Sequence, residues 1–315
     1  MNKTLAIYFS NPEILGYPFD KKFFFESYAE LSEYFEKYNI KMVIVRGSSY
    51  IGNATFNKYS YWDKRNKTYV AINAPIVINL IWNRDSKNTI PLIVDCPILN
   101  HHTLDEICRD KLLTFNTFKT ISPKTYLIHR FSDLKHILPK IKTDKVVFKP
   151  RFGEQSIGVN IESKHDLRKD LYADWTDTLM QEFLDSSIGI PNLVDGLHEI
   201  NIAMVNGLIA GARIKQPPKG KYISSATGAI IGKTWGIPIT QIPEQLLKIS
   251  NEIDLKFSSF PIRLFRADYV YTKDNGYKLI EINSRPGLMH PLKEGPLYWE
   301  FNGTVAKAII NYLQN

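Results

Sequence analysis

The chain has 315 residues, of which 44% are hydrophobic and 12% aromatic, and its formal net charge is +8. A chain of this length can bury a sizeable core, and we expect two or three subdomains. It contains no apolar run long enough to span a membrane, and its N-terminus lacks the order of segments typical of a signal peptide. These features predict a cytoplasmic protein with no membrane partner.

The cysteines and the charge distribution narrow the classes of partner. Cys96 and Cys108 lack CxxC spacing, which predicts free thiols in a reducing compartment. The net positive charge of the chain favours an anionic partner. Lys and Arg are nevertheless spread along the chain rather than clustered, which indicates a solvated basic surface. We therefore do not expect nucleic acid as a partner, and leave a homo-oligomer open.

The first 100 residues predict a parallel α/β unit. Residues 3–9 form an apolar strand, residues 22–38 a helix with apolar positions at helical spacing, and residues 41–46 a second strand. Strand, helix, strand is the βαβ unit, whose binding crevice lies beyond the carboxyl ends of the strands. Loops 10–16 and 47–52 should therefore face a common site. Further strands are predicted at 69–71, 76–82 and 90–95.

A helix and a small α+β unit should follow. Thr103 is a plausible N-cap for one helix over residues 104–118. The later elements are predicted as a strand at 125–128, a helix at 131–140, strands at 145–149 and 159–162, and a helix at 163–172. The loop 150–158 contains two glycines between two strands, so its backbone N–H groups can turn toward an anion.

The C-terminal half should be dominated by hairpins. Residues 179–184 predict a strand, and residues 199–205 and 208–215 predict two strands joined at Asn206-Gly207, a strong hairpin signal. Residues 216–236 are rich in Gly, Pro and Ser without periodicity, and such long irregular segments are often functional. Helices are expected at 244–257 and 303–313.

The most informative stretch is 264–287, LFRADYVYTKDNGYKLIEINSRPG, which predicts a hairpin. Because side chains alternate along a strand, Arg266 and Asp268 share one face of the first strand. Glu281 and Asn283 share one face of the second. Carboxylate and amide oxygens are the ligands that Mg²⁺ prefers, so Asp268, Glu281 and Asn283 are candidate metal ligands. An ordinary solvated hairpin is the alternative.

The segment E-I-N-S-R-P-G at 281–287, together with R-A-D at 266–268, resembles the ATP-grasp family. In this family glutathione synthetases, D-alanine ligases, ribosomal-protein glutamate ligases and peptide-maturing ligases share one nucleotide site. The resemblance runs from about Asp110 to Gly287, and the first 99 residues are compatible with the variable N-terminal domain of the family.

The resemblance implies roles for particular residues. Asp268, Glu281 and Asn283 would bind magnesium, and Arg266 would stabilise charge on the transferred phosphoryl group. Arg213 and Lys215 lie in the region that contacts the acceptor or acyl phosphate in relatives. The implied ATP contacts are Lys111 of a D-K-L signature, Lys149, the lid residues Gly153, Ser156 and Gly158, the adenine linker Gln181, Glu182, Phe183 and Leu184, and Glu199 for the ribose.

Three positions depart from better-known members of the family. Glu154 and Gln155 stand in the glycine loop, where small residues are more usual. Asn201 replaces an arginine of the glutamate ligases, so their substrate class does not carry over. The roles of Glu154, Lys219 and Lys221 are left open.

We therefore expect an α/β (α+β) ATP-grasp fold with an N-terminal parallel α/β domain over 1–104, a lid subdomain over 105–180 and a C-terminal subdomain over 181–315. The implied function is an ATP-dependent carboxylate–amine ligase that forms an amide through an acyl phosphate and releases ADP and phosphate. ATP and Mg²⁺ are the expected cofactors, with two ions, or Mn²⁺ as an alternative ion. Its partners would be small-molecule or peptide carboxylates and amines. A small-molecule kinase and a basic, nucleotide-regulated binding protein are the competing functions.

Overall fold

The computed structural model describes residues 3–13, 16, 18–85, 95–153, 156–171, 174–222, 232–288 and 297–315. Its first sheet is built around a parallel βαβ unit. The N-terminal elements are β1 (Lys3–Phe9), α1 (Lys22–Glu36), β2 (Ile40–Arg46), β3 (Tyr50–Gly52), β4 (Thr55–Phe56), β5 (Tyr59–Asp63), β6 (Thr68–Ile72), β7 (Ile76–Val77), β8 (Leu80–Asn83) and β9 (Ile98–Leu99).

The parallel unit predicted from the sequence is confirmed. Strand β1 pairs in parallel with β2 and with β8, in the sheet order β6-β5-β2-β1-β8-β9. The two loops after β1 and β2 do approach each other, because Arg46 donates a hydrogen bond to Asn11. The single strand expected at 76–82 is instead two strands in different sheets, since β7 pairs with β4. The strand expected at 90–95 falls largely outside the described residues.

The middle of the chain forms a four-stranded antiparallel sheet, ordered β10-β13-β11-β12. Its elements and the helices before it are α2 (His102–Arg109), α3 (Lys111–Thr117), β10 (Thr125–Ile128), α4 (Leu134–Ile137), β11 (Lys145–Pro150), β12 (Asn160–Ser163) and β13 (Thr178–Glu182). The helix expected over 131–140 is present as α4 flanked by two 3-10 turns, Phe131–Asp133 and Leu138–Lys140. The Pro139 ring lies in the second turn.

Two helix predictions in this region are wrong. The helix expected over 104–118 is two helices, because the Asp110 carboxylate accepts hydrogen bonds from the backbone N–H groups of Leu112 and Leu113 and so starts a new helix. The N-cap of the first helix, α2, is His101 and not Thr103. The Nδ1 atom of His101 accepts a hydrogen bond from the Thr103 N–H. In place of a helix over 163–172, the described residues contain only a 3-10 turn at Lys169–Leu171.

The C-terminal half forms a five-stranded antiparallel sheet, ordered β16-β15-β14-β17-β18. The elements are β14 (Glu199–Val205), β15 (Leu208–Gln216), β16 (Lys233–Ile237), α5 (Glu244–Lys256), β17 (Leu264–Thr272), β18 (Gly276–Asn283) and α6 (Leu297–Gln314). Both predicted hairpins are confirmed. The segment 216–236 is not irregular throughout, because residues 233–236 pair with β15 as part of β16.

Residues of this sheet pack into two different hydrophobic clusters. Phe265, Ala267 and Tyr269 point into a cluster with Leu246 and Ile253 of α5. Residues of the N-terminal sheet pack instead with helix α6 and the hairpin end of β14 and β15, in a second cluster that includes Leu5, Phe35, Val205, Leu264 and Ile309. The N-terminal sheet is thus anchored to the C-terminal sheet by apolar packing. The division at residues 104 and 180 stays a prediction.

Asn100 links these parts through a buried hydrogen-bond triplet. Its Nδ2 donates to the carbonyl oxygens of Leu264 and Ser284 at 2.5 and 2.6 Å, and its Oδ1 accepts from the Leu264 N–H at 2.6 Å. Asn100 is only 3% exposed. It therefore holds the start of β17 and the end of β18 against the segment before α2.

No helix within the described ranges is long and apolar enough to cross a bilayer.

We predict that Asn100→Ala lowers the free energy of unfolding by about 2–4 kcal/mol, because it leaves three buried main-chain groups without partners. Urea unfolding followed by circular dichroism measures the change. Asn311→Ala, on the exposed face of α6, is the matched control and should change stability by less than about 0.5 kcal/mol. Equal effects of the two substitutions would contradict the prediction.

Candidate nucleotide and metal site

A pocket with about 1070 Å³ of empty volume lies between the four-stranded and five-stranded sheets. Its walls come from β11 and β13 on one side and from β14, β15 and β18 on the other. Nine of the ten residues expected to contact ATP line it: Lys111, Lys149, Gly153, Ser156, Gln181, Glu182, Phe183, Leu184 and Glu199. Residues far apart in the sequence are therefore brought to one cleft.

Lys149 lies at the centre of this cleft and is only 7% exposed. Its Nζ donates to Gln181 Oε1 at 3.1 Å and to the Ile280 carbonyl oxygen at 3.3 Å, and sits 4.4 Å from the centre of the Phe115 ring. Burial lowers the pKa of Lys149 to about 7, although Glu281 acts in the opposite direction. A buried amine held by neutral oxygens is suited to an anionic ligand group.

Lys111 reaches the same cleft because α2 ends and α3 begins at Asp110. The Asp110 carboxylate caps α3 and also receives two hydrogen bonds from Arg151, at 2.9 and 2.6 Å. This pairing ties the start of α3 to the strand that precedes the glycine loop. Lys111 Nζ then donates to the Gly153 carbonyl oxygen and lies 3.7 Å from Glu281 Oε1.

The glycine loop has left-handed backbone at several positions. Gly153, Ser156 and Gly158 have φ values of 145°, 59° and 74°. Gly158 does not line the pocket, and a Cβ at this position would come within 2.9 Å of Pro150 Cγ. Glycine is therefore required there by the turn and by the close approach of Pro150.

Glu199 is held by two hydrogen-bond donors. Lys215 Nζ and Asn201 Nδ2 each lie 2.6 Å from Glu199 Oε1. Burial would raise the pKa of Glu199, but Lys215 and Asn201 outweigh it and hold the pKa below its ordinary value. Glu199 is thus a carboxylate at the pocket wall, and Lys215, predicted as a catalytic residue, contacts it directly.

The hairpin β17–β18 brings the predicted metal ligands together. Asp268 pairs with Glu281 and Arg266 pairs with Asn283 across the two strands. Arg266 donates to both oxygens of Asp268, at 2.8 and 3.0 Å, and Asn283 Nδ2 donates to Asp268 Oδ2 at 3.1 Å. Burial raises the pKa of Asp268 to about 6, with Arg266 and Lys215 opposing the shift.

The side-chain oxygens of Asp268, Glu281 and Asn283 fit a hard divalent cation. The described residues contain no cluster of three or more His, Cys, Asp or Glu that could hold a metal, so a softer, all-protein site is not indicated there. Two carboxylates and one carboxamide are instead the incomplete oxygen set that magnesium shares with substrate phosphates. A dication beside Asp268 would lower the raised pKa of this carboxyl.

Arg213 shares a face of the sheet with Lys215, two residues further along β15, but it lines a neighbouring cavity rather than the main pocket. It lines a small cavity, of about 240 Å³, together with Arg266, Asn201 and Gly287. Arg213 pairs with Asn201 across β14 and β15, and Asn201 pairs with Asp268 across β14 and β17. Arg213 and Arg266 therefore approach one region from neighbouring strands.

Sequence reasoning missed His198, which precedes Glu199 and lines the pocket. Its Nδ1 lies 3.0 Å from the Gly196 carbonyl oxygen, and its Nε2 accepts from the Tyr271 N–H at 3.1 Å. Burial lowers its pKa, so the neutral ring is favoured. A single histidine before a strand carries no sequence signal that it lines a ligand pocket.

Tyr222 was also missed. Its ring packs edge-on against Phe183, with centroids 5.4 Å apart, and Lys145 Nζ lies 4.2 Å from its centre. Tyr222 therefore connects the segment after β15 to the opposite sheet across the pocket mouth. Its neighbours in sequence, Lys219 and Lys221, are exposed and do not line the cavity.

We predict that burial of Lys149 makes stability depend on pH. A lysine whose pKa falls from about 10.4 unfolded to about 7 folded carries a penalty that is full below pH 7 and disappears as the pH rises to about 10.4. The stability gained in Lys149→Met over the wild type should therefore shrink by about 2–3 kcal/mol between about pH 6 and about pH 9.

Urea unfolding of both proteins at the two pH values measures this change. Lys248→Met, which removes an exposed lysine paired with Glu244, is the control and should give a nearly constant difference. A pH-independent difference for Lys149→Met would show that the buried amine does not titrate in this window.

Comparisons with known proteins identify the family and the fold. A family model described as RimK-like ATP-grasp domain matches residues 107–295. No curated protein matches the chain. Among solved structures, the VanG D-Ala:D-Ser ligase from Enterococcus faecalis has a TM-score of 0.62 at 13% identity, covering 99% of this chain and 100% of its own.

Two peptide-binding relatives have the same fold. The ATP-grasp ligase PsnB, in complex with a phosphomimetic variant of its minimal precursor, Mg and ADP, has a TM-score of 0.60 at 9% identity and covers 98% of each chain. The macrocyclase MdnC from Microcystis aeruginosa MRC, bound with the precursor peptide MdnA, has a TM-score of 0.59 at 13% identity, over 98% of this chain and 99% of its own. Because the family model matches more than half of the sequence, the chain belongs to the RimK-like ATP-grasp family and is an ATP-dependent ligase.

Proposed function

We propose that this protein activates a carboxylate with ATP and joins it to an amine, through an acyl phosphate. The observation that carries the proposal is that two cavities share the residues Lys111, Gly153 and Glu281. One cavity contains the expected nucleotide contacts. A carboxylate in the other cavity would meet the terminal phosphate of ATP at these shared residues.

The reaction then proceeds in two balanced steps. A carboxylate oxygen of the substrate attacks the γ-phosphorus, the bond to the β-γ bridging oxygen breaks, and ADP leaves. The amine nitrogen next attacks the acyl carbon, loses a proton, and phosphate leaves as the amide forms. Neither step needs a nucleophilic side chain, so catalysis depends on positioning and on charge stabilisation.

The side chains of this protein supply cations around the transferred group. Lys111 and Lys149 would neutralise the nucleotide phosphates, and Arg266 the phosphoryl group and the acyl phosphate. Arg213 and Lys215 would assist from β15. Glu199 would accept hydrogen bonds from the ribose hydroxyls, and the 181–184 segment would border the adenine. Magnesium held by Asp268, Glu281 and Asn283, as two ions, would supply Lewis-acid charge stabilisation.

A screen for ADP release over amino acids and short peptides tests the proposal, with mass spectrometry to identify the product. A ligase forms a condensed product and free phosphate. Retention of the phosphate on a product, without consumption of amine, would identify a kinase instead. Salt-sensitive binding of nucleic acid without any ATP turnover would indicate a binding protein.

We predict that Asp268→Asn and Glu281→Gln each lower kcat by at least about 100-fold, because each removes a negatively charged ligand of the magnesium that would bind the phosphates. Turnover is measured as ADP release with the best pair of substrates from the screen, and circular dichroism checks the fold. Asp274→Asn, in the exposed turn of the same hairpin, is the control and should keep full activity. Full activity in both of the first two variants would disprove the proposed site.

A further inference from the structure

The second cavity differs from the nucleotide pocket in the charges on its wall. It has about 1270 Å³ of empty volume and is lined by Arg84, Arg109 and Arg285, besides the shared Lys111. Glu281 is its one acidic lining residue within the described part of the chain. The wall of this cavity therefore carries several cationic groups, and it also includes Glu281 and Asn283, two of the predicted metal ligands.

The three arginines are not equally free to bind an anionic ligand. Arg285 is neutralised, because it donates to the buried Asp105 carboxylate and to the Asp85 carbonyl oxygen. Arg84 uses Nη1 to donate to the Pro286 carbonyl oxygen at 2.9 Å, while its Nε is buried without a hydrogen-bond partner in the described residues. Its guanidinium lies 5.3 Å from the centre of the Trp82 ring. Arg84 forms no ion pair with another described residue.

Arg109 is the most exposed of the three. It ends helix α2 and forms no hydrogen bond or ion pair with the other described residues. Its position one residue before Asp110 is set by the capped start of α3, which also positions Lys111. The helix boundary that the sequence did not predict thus lies between Arg109, at the end of α2, and Lys111, at the start of α3, and both residues line the second cavity.

Arg84 is positioned by the parallel sheet. It directly follows β8, which pairs with β1, and binding crevices in such sheets lie beyond the carboxyl ends of the strands. Arg84 and Arg109 therefore come from two independent elements and line the same cavity. Two guanidinium groups that form no ion pair with another described residue thus border one cavity, which favours a ligand with a carboxylate, because arginine binds carboxylates through paired hydrogen bonds.

We infer that the carboxylate substrate of this ligase has a second carboxylate, which binds Arg84 and Arg109 while the first is activated beside Glu281 and Lys111. This inference rests on the proposed function and adds the class of the acid. Two sources share this chemistry: a free dicarboxylic acid, and an acidic side chain next to another in a peptide. Phe24 and Phe152 provide apolar wall in either case.

Binding measured by calorimetry in the presence of Mg-ADP tests the inference without any turnover. The free-acid probes are glutarate and butyrate, which share one carboxylate and differ in the second. The peptide probes are acetyl-Gly-Glu-Glu-Gly-amide and its Glu-Gln counterpart, which likewise share one carboxylate and differ in the second. We expect one dianionic probe to bind at least 10-fold more tightly than its matched partner, and the pair that does so identifies the source.

Substitution of the arginines then locates the contact. Arg109→Gln, and Arg84→Gln if it folds, should each weaken the dianionic probe at least 10-fold and leave Mg-ADP binding unchanged. Arg168→Gln, an exposed arginine outside both cavities, is the matched control and should bind like the wild type. Arg109 is exposed, so its substitution should not prevent folding.

Failure of the inference is distinct from failure of the proposed function. Equal binding of the matched probes, no binding of either dianion, or unchanged binding in Arg109→Gln would overturn the inference. None of these results bears on ADP release with a monocarboxylate, which the substrate screen measures separately.

Discussion

The register between β17 and β18 is the constraint on which the site depends. It sets Asp268 opposite Glu281 and Arg266 opposite Asn283, so four polar groups from two strands meet on one face. Because side chains alternate along a strand, a shift of one residue would exchange these groups with Phe265, Ala267 and Tyr269. Those residues are buried against α5, so the apolar core enforces the register that the polar site requires.

The site gathers more cations than its carboxylates neutralise. Arg266 is paired with Asp268, and Lys215 is paired with Glu199, both within hydrogen-bond distance. Lys149 has only neutral oxygens as direct partners, and its lowered pKa reflects the cost of burying that amine. A polyphosphate would offset this cost, which explains why a lysine can remain in an interior position.

The position of Asp110 connects the two cavities. Its backbone N–H donates to Glu106 at the end of α2, whereas its carboxylate caps α3 and binds Arg151, so Asp110 lies at the boundary between Arg109 and Lys111. Lys111 then faces the nucleotide pocket and the second cavity together, with Gly153 and Glu281. The two cavities thus share a wall, which would suit transfer of a phosphoryl group between the proposed nucleotide and carboxylate pockets.

The sequence by itself determined the local structures that depend on alternation and turn chemistry. The βαβ unit, the Asn206-Gly207 hairpin and the hairpin with Asp268 and Glu281 all follow from such short-range signals, and the order of motifs was sufficient for recognition of the family. Tertiary structure decided what depends on distant partners. The Asp110–Arg151 ion pair joins segments far apart in the sequence, as do the contacts of His198 with Tyr271 and of Tyr222 with Phe183. The second cavity is likewise bordered by Arg84 and Arg109 from separate elements. Local patterns record backbone preferences, whereas burial and charge pairing arise only when segments far apart in the chain come into contact.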